Sequence, residues 1–170
     1  MKRGTRLSTE DEANQIVSLL GDGWLPHLYR DRILKTRTRA YHFDVSRRTA
    51  RVEIQHTLLG VELKIGRRRH MCPDLATARY LSIFAKAGCA NVAIPYDITQ
   101  ISCIADELES AWQRMLLLVD SVADKKMMSE AARARTRGLL VAKLRAEIAE
   151  AGCGSEVPEF KQSTRQRRAV

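Results

Sequence analysis

The fold is decided by residues 41–65, whose sequence is YHFDVSRRTARVEIQHTLLGVELKI. Apolar and polar residues alternate through much of this segment, and side chains along a strand point alternately to the two faces of a sheet. Tight reversals fit at residues 46–49 and near residues 58–60. The segment therefore predicts three antiparallel strands with one apolar face, provided that the register holds, because a slip of one residue would reverse the faces.

The polar face of these predicted strands carries three pairs of residues: His42 and Asp44, Glu53 and Gln55, Glu62 and Lys64. Carboxylates beside a lysine can hold a divalent metal against a phosphodiester, because Mg²⁺ prefers hard oxygen ligands and binds phosphate oxygens. The alternative is ordinary cross-strand charge pairing on a solvent-facing sheet, which contributes about 0.2–1 kcal/mol per pair. In that case Glu53 and Arg51 would be the partners of Glu62 and Lys64.

Positive charge is concentrated in the same region. The chain has a net charge of +9, and residues 28–70 contain twelve Lys or Arg against four acids, a local net charge of +8. Arginine has a planar guanidinium group that fits phosphate oxygens. The clustering predicts nucleic acid as partner, ahead of an anionic membrane, although the same residues could be solvated surface. The candidate binding residues are Arg47, Arg48, Arg51, Arg67, Arg68 and Arg69.

Targeting and membrane signals are missing from the sequence. The N-terminus continues into acidic and polar residues instead of an apolar signal segment. The longest apolar run, residues 115–119, is far shorter than the roughly 20 residues that span a bilayer. The four cysteines show neither zinc-ligand spacing nor a disulfide pattern. We expect a soluble cytoplasmic protein without a membrane partner.

Helix signals surround the predicted strands. Ser8 and the acids after it open a helix that Gly21 ends, and Pro73 and Asp74 open another that Gly88 ends. Residues 66–70, which contain three consecutive arginines, are predicted to be a basic loop. Residues 91–95 form a short apolar strand, followed by helices over about 102–123 and 129–151.

The predicted fold class is α+β, with one small mixed sheet of three or four strands, flanking helices and two C-terminal helices. A strand, a helix and a strand within about 35 residues read as a crossover unit, which makes the last strand parallel to the third. We predict a core domain over residues 1–126 and a helical extension over 127–153, through which the chain could form homo-oligomers. Residues 154–170 are predicted to be a disordered basic tail.

With an acid on the first strand and Glu62-Leu63-Lys64 on the third, residues 8–96 resemble the PD-(D/E)XK nuclease superfamily. The resemblance implies that Asp44 and Glu62 ligate Mg²⁺ and that Lys64 orients or deprotonates the attacking water, with Glu53 assisting. The leading hypothesis is therefore a nucleic-acid-binding protein that hydrolyses phosphodiester bonds in DNA or RNA. Its rival is a non-catalytic nucleic-acid-binding or oligomeric assembly protein with a basic surface.

Overall fold

A computed structural model describes residues 8–43 and 51–154. Its helices are α1 (Thr9–Leu20), α2 (Leu25–Leu28), α3 (Leu75–Ala87), α4 (Ile98–Lys125) and α5 (Glu130–Ala151). Its strands are β1 (Thr38–His42), β2 (Val52–Thr57), β3 (Gly60–Ile65), β4 (Arg68–Cys72) and β5 (Asn91–Pro95). A π-helical turn, Tyr29–Ile33, follows α2. The predicted α+β class, with helices around a small amount of sheet and two long C-terminal helices, is confirmed.

The helix ends have the caps that the sequence indicates. Ser8 and Asp11 form a capping box at the start of α1, in which the Asp11 amide donates to Ser8 Oγ over 3.1 Å. The carboxylate of Asp74 caps α3 by accepting from the amide of Thr77, and that of Asp97 caps α4 by accepting from the amide of Thr99. Gly88, which follows α3, takes a left-handed φ of 74°, a conformation that glycine adopts without strain.

Strands β2, β3 and β4 form a three-stranded antiparallel sheet. Glu53 lies opposite Lys64, and Gln55 lies opposite Glu62, so the register predicted between these two strands is correct. The inner face of the sheet packs on α3, where Leu63, Ile65 and Cys72 are buried in the core.

Residues 66–70 do not form the predicted loop. Gly66, with a φ of 60°, and Arg67 make a two-residue turn, and β4 follows at once. The alternation that marks a strand is hidden here, because the inward-facing positions are Arg68, His70 and Cys72 instead of aliphatic residues, and the apolar Met71 lies beside Arg69 on the outer face.

The pairing of β1 and β5 also differs from the prediction of one mixed sheet. Strand β5 pairs antiparallel with β1, with Ala93 opposite Ala40, and the two form a separate two-stranded sheet. A parallel pairing of β5 with β3 cannot form, since β2 and β4 occupy both edges of β3. His42 therefore lies in a different sheet from Glu53 and Glu62.

Two tyrosines close the second edge of β5. The amide of Ala93 donates to the hydroxyl of Tyr29 over 3.0 Å, and the hydroxyl of Tyr80 donates to the carbonyl of Ala93 over 2.5 Å. Tyr29 also donates to the carbonyl of Gly152, just beyond α5, over 2.6 Å. Buried backbone groups must be paired, and here side chains replace a third strand.

Helix α5 completes the core by packing mainly on α1 and α4. Its residues Leu140, Leu144 and Ile148 are buried and belong to the same hydrophobic cluster as α3 and β5. The Arg145 guanidinium donates to the carbonyl of Ala87 over 3.0 Å, which joins α5 to the end of α3.

We expect Tyr29→Phe to lower the free energy of unfolding by about 1–3 kcal/mol, because the buried Ala93 amide would lose its acceptor. Tyr41→Phe is the matched control, since the Tyr41 hydroxyl has no hydrogen bond to the described residues, and it should change stability by less than about 0.5 kcal/mol. Urea unfolding followed by circular dichroism measures both. Equal effects of the two substitutions would contradict this role of Tyr29.

Stability should fall at alkaline pH. Burial raises the pKa of Cys89 from 9.0 to about 12 and that of Tyr29 from 10.0 to about 12, and it raises the pKa of Tyr80 well above 10.0. The unfolded chain therefore loses these protons first, so stability is full below pH 9, begins to fall above it and falls more steeply above pH 10. Urea unfolding between neutral pH and the alkaline limit tests this, and Cys89→Ala should reduce the fall without abolishing it, because burial also raises the pKa of Cys72 and Cys153 from 9.0.

Candidate nucleic-acid interface

The outer face of the β2–β3–β4 sheet, turned away from α3, is the polar surface that the sequence predicts. It is formed by Arg51, Glu53, Gln55, Glu62, Lys64, Arg69 and Met71. The turn residue Arg67 lies exposed at one end of this face. Among the described residues, four cations thus accompany two carboxylates on and beside the outer face.

Both carboxylates of the outer face are paired with arginines. Arg51 Nε lies 2.7 Å from Glu53 Oε1, and Arg69 Nη1 lies 3.8 Å from Glu62 Oε2. The guanidinium groups nevertheless remain accessible, since the side chains of Arg51 and Arg69 are 87% and 63% exposed. The Arg51–Glu53 pair is solvent-exposed and contributes at most about 1 kcal/mol, so a phosphate can compete with Glu53 for Arg51.

Glu62 occupies the centre of this face, on the middle strand. Its residue is 9% exposed, and its Oε2 is buried without a hydrogen-bond donor among the described residues. Arg69 approaches this oxygen only to 3.8 Å, which is an ion-pair distance and too long for a hydrogen bond. Glu62 Oε2 is therefore a buried acceptor whose described partner is the ion pair with Arg69 alone.

The predicted magnesium site is only partly within the described structure. Asp44 lies outside the described residues, and His42 Nδ1 lies 2.7 Å from its hydrogen-bond acceptor, Asn91 Oδ1, within the β1–β5 sheet. Glu53 and Glu62 are diagonal neighbours on adjacent strands, a relation that separates Cα atoms by about 7–8 Å. Within residues 8–43 and 51–154, no group of three or more His, Cys, Asp or Glu side chains is arranged to hold a metal. The described residues thus supply two of the predicted carboxylates, and the magnesium site itself stays a prediction.

The predicted phosphate-binding arginines are placed in three ways. Arg47 and Arg48 lie outside the described residues. Arg51 and Arg69 lie on the outer face, with Arg67 at its end. Arg68 is opposite Ile65 and therefore lies at the rim of the inner face, where it is exposed.

The turn between β2 and β3 carries two apolar side chains that the sequence analysis used only as a reversal. Leu58 is fully exposed and Leu59 is 84% exposed. Hairpin turns favour Gly, Asn and Asp, so two consecutive leucines at a turn are the sequence signal that identifies this tip as a functional candidate.

We expect Mg²⁺ or Mn²⁺ to leave the melting temperature of the protein unchanged relative to EDTA, because arginines pair with both described carboxylates of the outer face. Differential scanning fluorimetry measures this. A rise with metal that disappears in Glu62→Gln would contradict the expectation and support the predicted metal site.

No helix within the described ranges combines the length and hydropathy needed to cross a membrane. Comparison of the chain with protein-family models, with curated proteins and with solved structures finds no match.

Proposed function

We propose that this protein binds duplex DNA through the outer face of the β2–β3–β4 sheet. The observation that carries the proposal is the location of two strongly exposed arginines, Arg51 and Arg69, on the face that α3 leaves open. Lys64 lies between them on the central strand, opposite Arg69. Duplex DNA carries one negative charge per about 1.7 Å, and cations on a sheet face replace its condensed counterions.

The dimensions of the sheet favour the major groove. Neighbouring strands lie about 4.8 Å apart, so the axes of two strands together with their side chains match the width of a β-ribbon. The major groove of B-form DNA is about 12 Å wide and admits a helix or a two-stranded β-ribbon, so two neighbouring strands of this sheet can enter it. The major groove of A-form RNA is too narrow for side chains to read the bases, so duplex DNA fits this surface better than duplex RNA does.

The composition of the outer face favours a duplex over a single strand. Proteins that bind single strands on a sheet stack the bases on aromatic side chains. The residues that β2, β3 and β4 place on the outer face include no aromatic side chain. Instead Arg51 and Arg69 offer guanidinium forks for guanine or phosphate, and Gln55 offers an amide for adenine.

The double substitution Arg67→Gln, Arg69→Gln should weaken DNA binding about tenfold at fixed salt and reduce the slope of log K against log salt by about 2. Fluorescence anisotropy with a labelled duplex over a salt series measures both quantities. Arg135→Gln is the matched control, since Arg135 is an exposed arginine on α5. An unchanged affinity in the double variant, or a salt slope near zero in the parent protein, would contradict the proposal.

Mg²⁺-dependent hydrolysis by the same face is a second candidate, favoured by the register that brings Glu53, Glu62 and Lys64 together. Incubation of the full chain with duplex DNA and Mg²⁺ or Mn²⁺ separates the two functions. Binding without cleavage supports the non-catalytic function, whereas cleavage that Glu62→Gln abolishes supports the nuclease.

A further inference from the structure

A pocket of about 180 Å³ lies where the end of α5 meets the start of β5. Cys89 and Asn91 line one side of it, and Arg145, Ile148 and Cys153 line the other. A water molecule occupies about 30 Å³ in the liquid, so the pocket has room for a ligand of about six non-hydrogen atoms. Strands β2, β3 and β4 contribute no described residue to its lining, which makes this pocket distinct from the outer face of the sheet.

Arg145 brings a positive charge to the pocket without an acidic partner. Its Nε donates to the carbonyl of Ala87 over 3.0 Å, which restrains the plane of the guanidinium group. A guanidinium has further N–H groups on Nη1 and Nη2, and these have no partner among the residues that the structure describes. Arg133 and Arg137 on the same helix are, in contrast, paired with Asp120. The fork of Arg145 is therefore available to an anion.

Asn91 supplies a second donor beside this guanidinium. His42 Nδ1 donates to Asn91 Oδ1 over 2.7 Å, so the amide oxygen is engaged by the neighbouring strand. The amide nitrogen Nδ2 has no partner within the described part of the chain and is left to donate to a ligand. Because the free groups of both Asn91 and Arg145 are donors, the ligand must bring acceptor oxygens.

The surroundings of the pocket limit the charge of that ligand. Helices α3 and α5 end beside it, at Ala87 and Ala151, and the C-terminus of a helix carries about half a negative charge. The lining residues include one cation and neither Asp nor Glu. Arg145 can balance one negative charge, whereas a second charge would face the two helix ends. The lining side chains of Cys89 and Ile148 are buried and apolar, so the opposite end of the ligand must be apolar.

We infer that this pocket binds a short aliphatic monocarboxylate. Its planar carboxylate accepts from Arg145 and Asn91, because a carboxylate matches the guanidinium fork in shape and charge. Its alkyl chain lies against Cys89 and Ile148, and a chain of about four carbons, carboxyl included, fills the volume. The inference is independent of the proposed DNA binding.

Protection of Cys153 from alkylation tests the inference, since this thiol lines the pocket and is partly exposed. The full chain is treated with iodoacetamide in the presence of butyrate, or of butyramide as the uncharged analogue, and the labelled peptides are quantified by mass spectrometry. At about ten times its dissociation constant, butyrate should slow the labelling of Cys153 about elevenfold, because only the unoccupied fraction reacts. Butyramide should have little effect. Cys103, which is exposed on α4, is the control within the same molecule and should react at an unchanged rate.

Asn91→Asp and Arg145→Gln should each abolish the protection by butyrate. Asn91→Asp keeps the oxygen that His42 contacts, replaces the donor with a second oxygen and repels the carboxylate. Asn91 is exposed, so this variant should fold even if Arg145→Gln, which loses the bond to Ala87, does not. Arg135→Gln is the matched control, because Arg135 is an exposed arginine on the same helix that does not line the pocket.

Four results would overturn the inference. Butyrate could give no protection of Cys153, or butyramide could protect as well as butyrate, which would leave an apolar cavity without carboxylate recognition. Equal slowing at Cys103 would show a general effect of the salt. Protection that survives Asn91→Asp would show that the anion binds elsewhere.

Discussion

The hydroxyl of Tyr29 is the interaction on which the arrangement of the elements depends. It accepts from the amide of Ala93 in β5 and donates to the carbonyl of Gly152 beyond α5, so one atom joins the N-terminal helical region, strand β5 and the end of the last helix. Its ring packs edge-on against Phe84 of α3, with centroids 5.6 Å apart. Residues separated by more than a hundred positions in the chain therefore meet around one buried group, and α5 is part of the same core as the strands.

The division into two sheets follows from this contact. Tyr29 and Tyr80 satisfy the Ala93 backbone on the side away from β1, so β5 offers no open edge there for further strands. The three-stranded sheet is completed by β4 instead, and α3 covers only one of its faces. The other face is left as a polar surface whose arginines point away from the core, which is the arrangement that the proposed DNA contact requires.

The parts of this structure that depend on local sequence could be predicted, and the parts that depend on distant contacts could not. The caps at Ser8, Asp74 and Asp97 are short-range hydrogen bonds, and the β2–β3 register follows from alternation across a tight turn. Strand β4 escaped prediction because its inward-facing positions are Arg68, His70 and Cys72 instead of aliphatic residues. The β1–β5 pairing and the tyrosine contacts join residues that are far apart in the chain, and the local sequence around each residue does not indicate its partner. The predicted single mixed sheet was therefore wrong. In the candidate site, the neighbours of Glu62 were foreseen on β2 but not on β4.

In the turn between β2 and β3, the residues that fix the chain reversal are not the residues whose side chains are exposed. Thr57 and Gly60 hold the chain in its reversal, while positions 58 and 59 contribute side chains that touch little of the protein itself. Substitutions at those two positions should therefore change the free energy of unfolding little. Their main effect should be on the binding of any molecule that contacts the tip. The surface chemistry of this turn can therefore change at two positions while the reversal stays intact.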